Sequence, residues 1–160
     1  DQIAFVKWPF AYPTTFPRLG ELWVMNVDGT NPHQLSSILT GPKYELGYSF
    51  APAWSPSGDR IAFVSSNTTA GNAGYGNVYI VDVESTSVRQ LTQFEDVQVR
   101  APIWLPDGFR IAFLSGLSSS PGQFEPQVVT TDGSDLHRLD ESGTLVIDTQ
   151  SSNPSIVWLP

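Results

Sequence analysis

APAWSPSGDRIAF (Ala51–Phe63) is written a second time as APIWLPDGFRIAF (Ala101–Phe113), and its two halves stand apart near the ends of the chain, as DQIAF (Asp1–Phe5) and IVWLP (Ile156–Pro160). The half-phrase RIAFVS (Arg60–Ser65) recurs 50 residues later as RIAFLS (Arg110–Ser115) and 58 residues earlier as QIAFVK (Gln2–Lys7). A second phrase follows each copy: LWVMNVDGTNPHQLS from Leu22, VYIVDVESTSVRQLT from Val78 and QVVTTDGSDLHRLD from Gln127, aligned on Leu35, Leu91 and Leu139. Self-similarity at a period of about 50 residues signals a repeat architecture, in which each unit buries its apolar face only against its neighbours.

The local patterns choose among repeat folds. IAFV and VYIVDV are short, β-branched and aromatic, and Gly, Pro, Ser and Asp clusters bound them, with Asp28-Gly29, Asp107-Gly108 and Asp132-Gly133 at turn positions. No segment of helical length carries an i, i+3, i+4 apolar stripe with caps, so the chain reads as all-β. Each unit divides into four strands: one at Trp54 or Trp104, one at IAF, one at VYIVDV and one at VRQL. Four antiparallel strands per repeat make a propeller blade. The expected fold is an all-β propeller unit over residues 1–160, with blade equivalents at about 1–36 plus 153–160, 51–92 and 101–141.

These phrases resemble the TolB-type propeller repeat, a WD-like repeat with the pattern P-x-W-S-P-D-G-x-x-I-A-F, then I-Y-x-x-D-x-D-G, then R-x-L-T. APAWSPSGDRIAF, VYIVDVES and VRQLT carry it here, and the resemblance extends over nearly the whole chain. Ser57 stands where the pattern has Asp, Leu105 where it has Ser, and Gln127 where an aromatic is usual. The resemblance implies export to the periplasm or the extracellular space, and partners among envelope or extracellular proteins or glycans.

Trp158 aligns with Trp104 and Trp54, and Pro160 with Pro106 and Pro56, so IVWLP is a first strand. Asp1 aligns with Asp59, so DQIAF opens on a second strand. The expected strand order is therefore three strands, then two full sets of four, then one, with the first blade completed by a C-terminal strand from the same or a neighbouring chain. Three arrangements satisfy this. Two copies exchange ends to form a ring of about six blades; each copy donates its last strand to the next in an open filament, as heterologous contacts that fail to close do; or the sequence is a piece of a longer propeller, cut at an exposed turn. The assembly strand is Ser155, Ile156, Val157, Trp158 and Leu159, and its acceptor edge is Ile3, Ala4, Phe5 and Val6. Trp54, Phe63, Trp104 and Phe113 are the expected blade core.

Composition narrows the partners. The chain has 160 residues, 40% hydrophobic and 12% aromatic, enough for a core, and a net charge of −8 that disfavours nucleic acid. No apolar run approaches the roughly 20 residues needed to cross a bilayer, so membrane insertion is not expected. Absent cysteine excludes disulfides, thiolate metal sites and a Cys nucleophile.

The residues that bear chemistry do not converge on a catalyst. GYSFA (Gly47–Ala51) grazes the nucleophile elbow but lacks its strand-turn-helix setting. His33 and His137 occupy one repeat position, filled by Arg89 in the middle unit, which is the mark of a surface position. Asp28, Glu84, Asp132, Asp59 and Asp107 recur in turns, where Asp bonds its own backbone; none has the dense spacing of a calcium loop. No catalytic residue, metal or cofactor is expected. The second-to-third strand connections are what differ between units. WPFAYPTTFPRLG (Trp8–Gly20) offers Trp8, Phe10, Tyr12 and Phe16, either as a rigid cover or as a contact ridge, with contact favoured because proline orders a loop without a sheet partner. SNTTAGNAGYG (Ser66–Gly76) and GLSSSPGQFEP (Gly116–Pro126) are polar, and Asn67-Thr68-Thr69 fits a glycosylation acceptor pattern.

Overall fold

Alternation along RIAFVS and NVYIVD sends successive side chains to opposite faces of a sheet, and here both faces are apolar, as they must be in a sheet packed between two others. The computed structural model describes residues 1–7, 19–42, 52–65, 76–117, 119, 123–139, 145–148 and 155–158, with the backbone alone for 19–20, 37–42, 145–148 and 155–158. Thirteen strands and no helix occur among the described residues.

Three antiparallel sheets follow one another along the chain. Blade 1 is three-stranded, β1 (Gln2–Lys7), β2 (Leu19–Asn26) and β3 (His33–Pro42) in that order. Blade 2 runs β4 (Ala53–Trp54), β5 (Arg60–Ser65), β6 (Asn77–Asp82) and β7 (Val88–Gln90), and blade 3 runs β8 (Val97–Trp104), β9 (Arg110–Leu117), β10 (Glu125–Thr130) and β11 (Leu136–Arg138). A hairpin of β12 (Leu145–Asp148) and β13 (Ser155–Trp158) follows. The register repeats with the sequence: Phe5 lies opposite Trp23, Phe63 opposite Tyr79, and Phe113 opposite Gln127.

The core lies between blades. Ile61, Phe63, Tyr79 and Val81 on one face of blade 2 pack with Leu22, Val24 and Leu35 of blade 1. Ala62, Val64, Val78 and Ile80 on the opposite face pack with Val99, Trp104, Ile111, Phe113 and Val129 of blade 3. A buried polar clamp supports this second layer. Asn77 Oδ1 accepts from Thr92 Oγ1 at 2.9 Å and from the Phe94 N–H at 2.7 Å, which seats the Phe94 ring 6.2 Å from that of Phe113.

Turns are as repetitive as strands. Gly58 and Gly108 adopt φ of 74° and 70° in the first hairpin of blades 2 and 3, a left-handed conformation that glycine takes without steric cost. In the outer hairpins, short carboxylates hold the turn: Asp28 accepts from the Thr30 hydroxyl and N–H, Asp82 from the Ser85 N–H and hydroxyl, and Asp132 from the Thr130 hydroxyl and the Ser134 N–H and hydroxyl. These bonds lower all three pKa values, that of Asp132 from 3.8 to about 2. The unfolded chain therefore binds protons first as pH falls, and the stability these turns contribute, complete above the ordinary carboxylate value, is lost as pH falls through the depressed ones. Thermal unfolding midpoints should fall between about pH 4 and pH 2, and Asp132→Asn should flatten the lower end of that fall; a midpoint independent of pH there would rule the turns out as its source.

Candidate functional site

Blade 1 differs from its neighbours in what covers it. Ile61 and Ile111 are wholly buried, as are Phe63 and Phe113, because each faces the preceding blade. Their equivalent Ile3 is 40% exposed, and Phe5 is only half-buried. The same face carries Met25 and Trp23, opposite Ile3 and Phe5, both half-buried, with Lys7 Nζ 3.8 Å over the Trp23 ring. At the other end of the array, Leu105, Ala112, Leu114 and Val128 of blade 3 form a cluster with Ile103, Phe124 and Leu139, on the face that points away from blade 2. The two faces are complementary in the sense that one is the kind of face a preceding blade covers and the other the kind a following blade covers.

The sheet edges differ in the same way. In blades 2 and 3 the strand bearing IAF is paired on both sides, with Trp54 opposite Ile61 and Ala53 opposite Ala62, and Trp104 opposite Ile111 and Ile103 opposite Ala112. In blade 1, among the described residues, β1 pairs with β2 alone. Among the described residues, the innermost strand position of blade 1 has no occupant. β13 pairs with β12, Trp158 opposite Leu145, and lies against β8 and β9. β8 stands in that same relation to β4 and β5. β13 is therefore placed relative to blade 3 as the innermost strand of a following blade.

Polar contacts tie one blade to the next. Trp104 Nε1 donates to Ala53 O at 3.0 Å, and Arg60 lays its guanidinium 4.9 Å over the Trp104 ring while Nη2 donates to Gly108 O at 3.2 Å. Arg89 Nη1 donates to Thr131 O at 3.2 Å. The sequence signal for this tie is the Arg that opens RIAF in two repeats together with the Trp that precedes it, of which only the Trp is read above, as blade core.

The sequence-predicted residues fall as follows. Phe63 and Phe113 are fully buried, Trp104 is 8% exposed and Trp54 is half-buried on the blade 1–blade 2 core. Ile3, Ala4, Phe5 and Val6 lie in β1, and Ser155, Ile156, Val157 and Trp158 form β13. Leu159, the ridge of Trp8, Phe10, Tyr12 and Phe16, Asn67 and Gly47–Ala51 lie outside the described residues. His33 Nδ1 sits 3.0 Å from Asn31 O and His137 Nδ1 3.0 Å from Asp135 Oδ1, each bonded beside its own strand in blades 1 and 3. Among the described residues no three His, Asp or Glu side chains gather as a metal site, and no helix is long and apolar enough to cross a membrane.

Antiparallel four-stranded sheets stacked face on face, with the core between them, are the blades of a β-propeller. No family model and no curated protein matches the sequence. Solved structures do. The chain is similar to a TolB structure from Agrobacterium tumefaciens, with 22% identity and a TM-score of 0.57 over 81% of this chain and 40% of that one. It is similar to TolB from Acinetobacter baumannii, with 18% identity and a TM-score of 0.58 over 99% of this chain and 35% of that one. The β-propeller domain of the Trilobed protease from Pyrococcus furiosus matches with 12% identity and a TM-score of 0.59 over 91% of this chain and 42% of that one. At these identities the likeness is one of fold, and the chain spans well under half the length of each TolB structure.

Proposed function

We propose that this chain is a non-catalytic propeller module for protein binding and self-assembly, in which copies join head to tail by donating β13 to the open edge of β1. One observation carries the reading: the positions wholly buried in blades 2 and 3 are, in blade 1, 40% exposed at Ile3 and half-buried at Phe5, on the side where a preceding blade belongs, and among the described residues β1 has a free edge there. A second copy supplies both strand and cover, through Ser155–Trp158 and the far face of blade 3. Strand addition of this kind forms backbone ladder bonds along the edge and removes an aggregation-prone template from water. Since the two faces are different, the contact is heterologous and yields a ring where the rotation closes and a filament where it does not. An exported location, periplasmic or extracellular, belongs to the same proposal, and so do envelope or extracellular proteins and glycans as further partners.

The native chain has no cysteine, which makes disulfide trapping clean. The register of blade 2, carried over to the repeat, sets Val157 of one copy opposite Ala4 of another. Mixing Ala4→Cys chains with Val157→Cys chains under mild oxidation should give a covalent heterodimer on a non-reducing gel, whereas Ile156→Cys mixed with Ala4→Cys should not, because the neighbouring side chain points to the opposite face. Equal yields from both mixtures, or none from either, would refute in-register donation between copies.

A second reading is favoured by the share of each TolB chain that is matched. On it, the sequence is a length of a larger propeller that binds envelope partners or gates a peptidase domain, as the resemblance to a protease propeller suggests. A single-chain mass in solution, with no heterodimer in the mixing experiment, is its expected signature.

A further inference from the structure

The incoming strand has a second recognition element besides the β1 edge. In blade 3, Trp104 Nε1 donates to Ala53 O, the carbonyl of the residue just before the tryptophan of the preceding blade's innermost strand. Trp54 is the equivalent tryptophan of blade 2. Its counterpart acceptor belongs to an innermost strand of blade 1, and β1–β2–β3 contains none. Accordingly, among the described residues, the Trp54 indole N–H has no hydrogen-bond partner, and the residue stays half-buried where Trp104 is 8% exposed. The cation that caps Trp104 is also missing: Arg60 covers that ring at 4.9 Å, whereas the Arg60 position of blade 1 is Gln2. The indole N–H is thus the polar anchor available at this boundary.

Resting on the strand-donation reading, we infer that Trp54 is the register-reading residue of the acceptor: its indole N–H takes the main-chain carbonyl of Val157 from a second copy. Val157 is the repeat equivalent of Ala53, the residue just before Trp158 as Ala53 is just before Trp54. Successive carbonyls along a strand point in opposite directions, so a strand shifted by one residue turns its carbonyl away from Trp54 and moves Trp158 to the other face. The edge of β1 supplies pairing that any extended segment can use. Trp54 distinguishes the segment and register that place a carbonyl over blade 2.

The test compares two conservative variants of the full chain, Trp54→Phe and Trp104→Phe, by sedimentation equilibrium for association and by urea titration for stability. Each keeps an aromatic ring and removes one indole N–H. Trp54→Phe should weaken self-association about five- to tenfold, the value of one hydrogen bond, and lower the urea midpoint of the dissociated chain less than Trp104→Phe does, because Trp54 is only half-buried on its core. Trp104→Phe, whose bond lies within one chain, should lower that midpoint more and leave the association constant of the folded chains near the wild-type value. Wild-type association strength in Trp54→Phe overturns the role of Trp54 while leaving strand donation standing. A wild-type chain that stays single at all concentrations overturns strand donation and this inference with it.

Discussion

Truncation of Phe113 to alanine should destabilise the chain by about 3–5 kcal/mol, the range for a large aromatic removed from a closed core. Its ring is wholly buried between blades 2 and 3, against Val99, Trp104, Ile111 and the tilted Phe94 ring. Two elements hold those neighbours from outside, the Asn77 clamp on Phe94 and the Arg60 cap on Trp104, so the layer has little freedom to collapse into the space. A domain of this size has roughly 5–15 kcal/mol of stability in total, so Phe113→Ala leaves the chain near its unfolding threshold. The repeat provides an internal control. Phe5→Ala alters the same position of blade 1, but that ring is half-buried on an uncovered face, and in dissociated chains it should cost well under half as much. Urea midpoints of the two variants, measured at concentrations where copies are apart, decide this; equal losses would mean that blade 1 is covered from within the chain.

The contrast between Phe5 and Phe113 is also a measure of what the sequence makes legible. IAF occurs three times, and its strand identity, its pairing with the following strand and the four-stranded organisation of blades 2 and 3 can all be read from alternation, turn glycines and the period. Burial cannot, because it depends on the next sheet: the Ile and Phe of these letters are wholly buried in two blades, whereas in the first Ile3 is 40% exposed and Phe5 half-buried, while Ala4 still packs on the core. The irregular parts were equally silent. β8 begins at Val97, well before its tryptophan, and kinks between Arg100 and Ile103 with Ala101 at φ 47°, a conformation that no residue in VRAPIW announces. β12 lies in GTLVIDT, an apolar run too short to assign by period and without a counterpart in the repeat phrase. The Asn77 clamp has no equivalent in the other units either, since Glu21 and Glu125 stand at its position, and a search for shared letters passes over it.

What the repeat does make legible is relational: each Trp strand belongs beside an IAF strand and beneath the next blade. The tie from Trp104 to Ala53 and the cap from Arg60 show that adjacent blades are joined by the same element that completes each sheet. Closing a sheet and joining two blades are therefore one event in this architecture. An innermost strand offered between copies would accordingly bring association and the ordering of blade 1 together, and the two should share one concentration dependence.

Removal of Ser155–Pro160 should convert an assembly into single chains. The donated segment is short, but it carries the ladder bonds to β1 and Trp158, whose repeat equivalent Trp104 packs against the blade before it, so association buries only the part of the tryptophan that blade 1 of the next copy covers. If about 100 Å² of it is covered by the next copy, that is worth about 2.5 kcal/mol at 25 cal/mol per Å², roughly seventyfold in a dissociation constant, before the ladder bonds to β1 are counted. Among the described residues, the cores between blades 1 and 2 and between blades 2 and 3 are built from residues of those blades, so the truncated chain should keep its β-sheet circular dichroism and a cooperative urea transition. Sedimentation velocity separates the outcomes. A shift from a large species to the mass of one chain, with folded structure retained, places the assembly contact in β13. An unchanged sedimentation coefficient would place it elsewhere, and the aromatic segment Trp8–Phe16 would become the next to truncate. Trp158→Ala in the full-length chain isolates the side chain from the strand: if the tryptophan is the dominant contact, this one substitution should reproduce most of the loss.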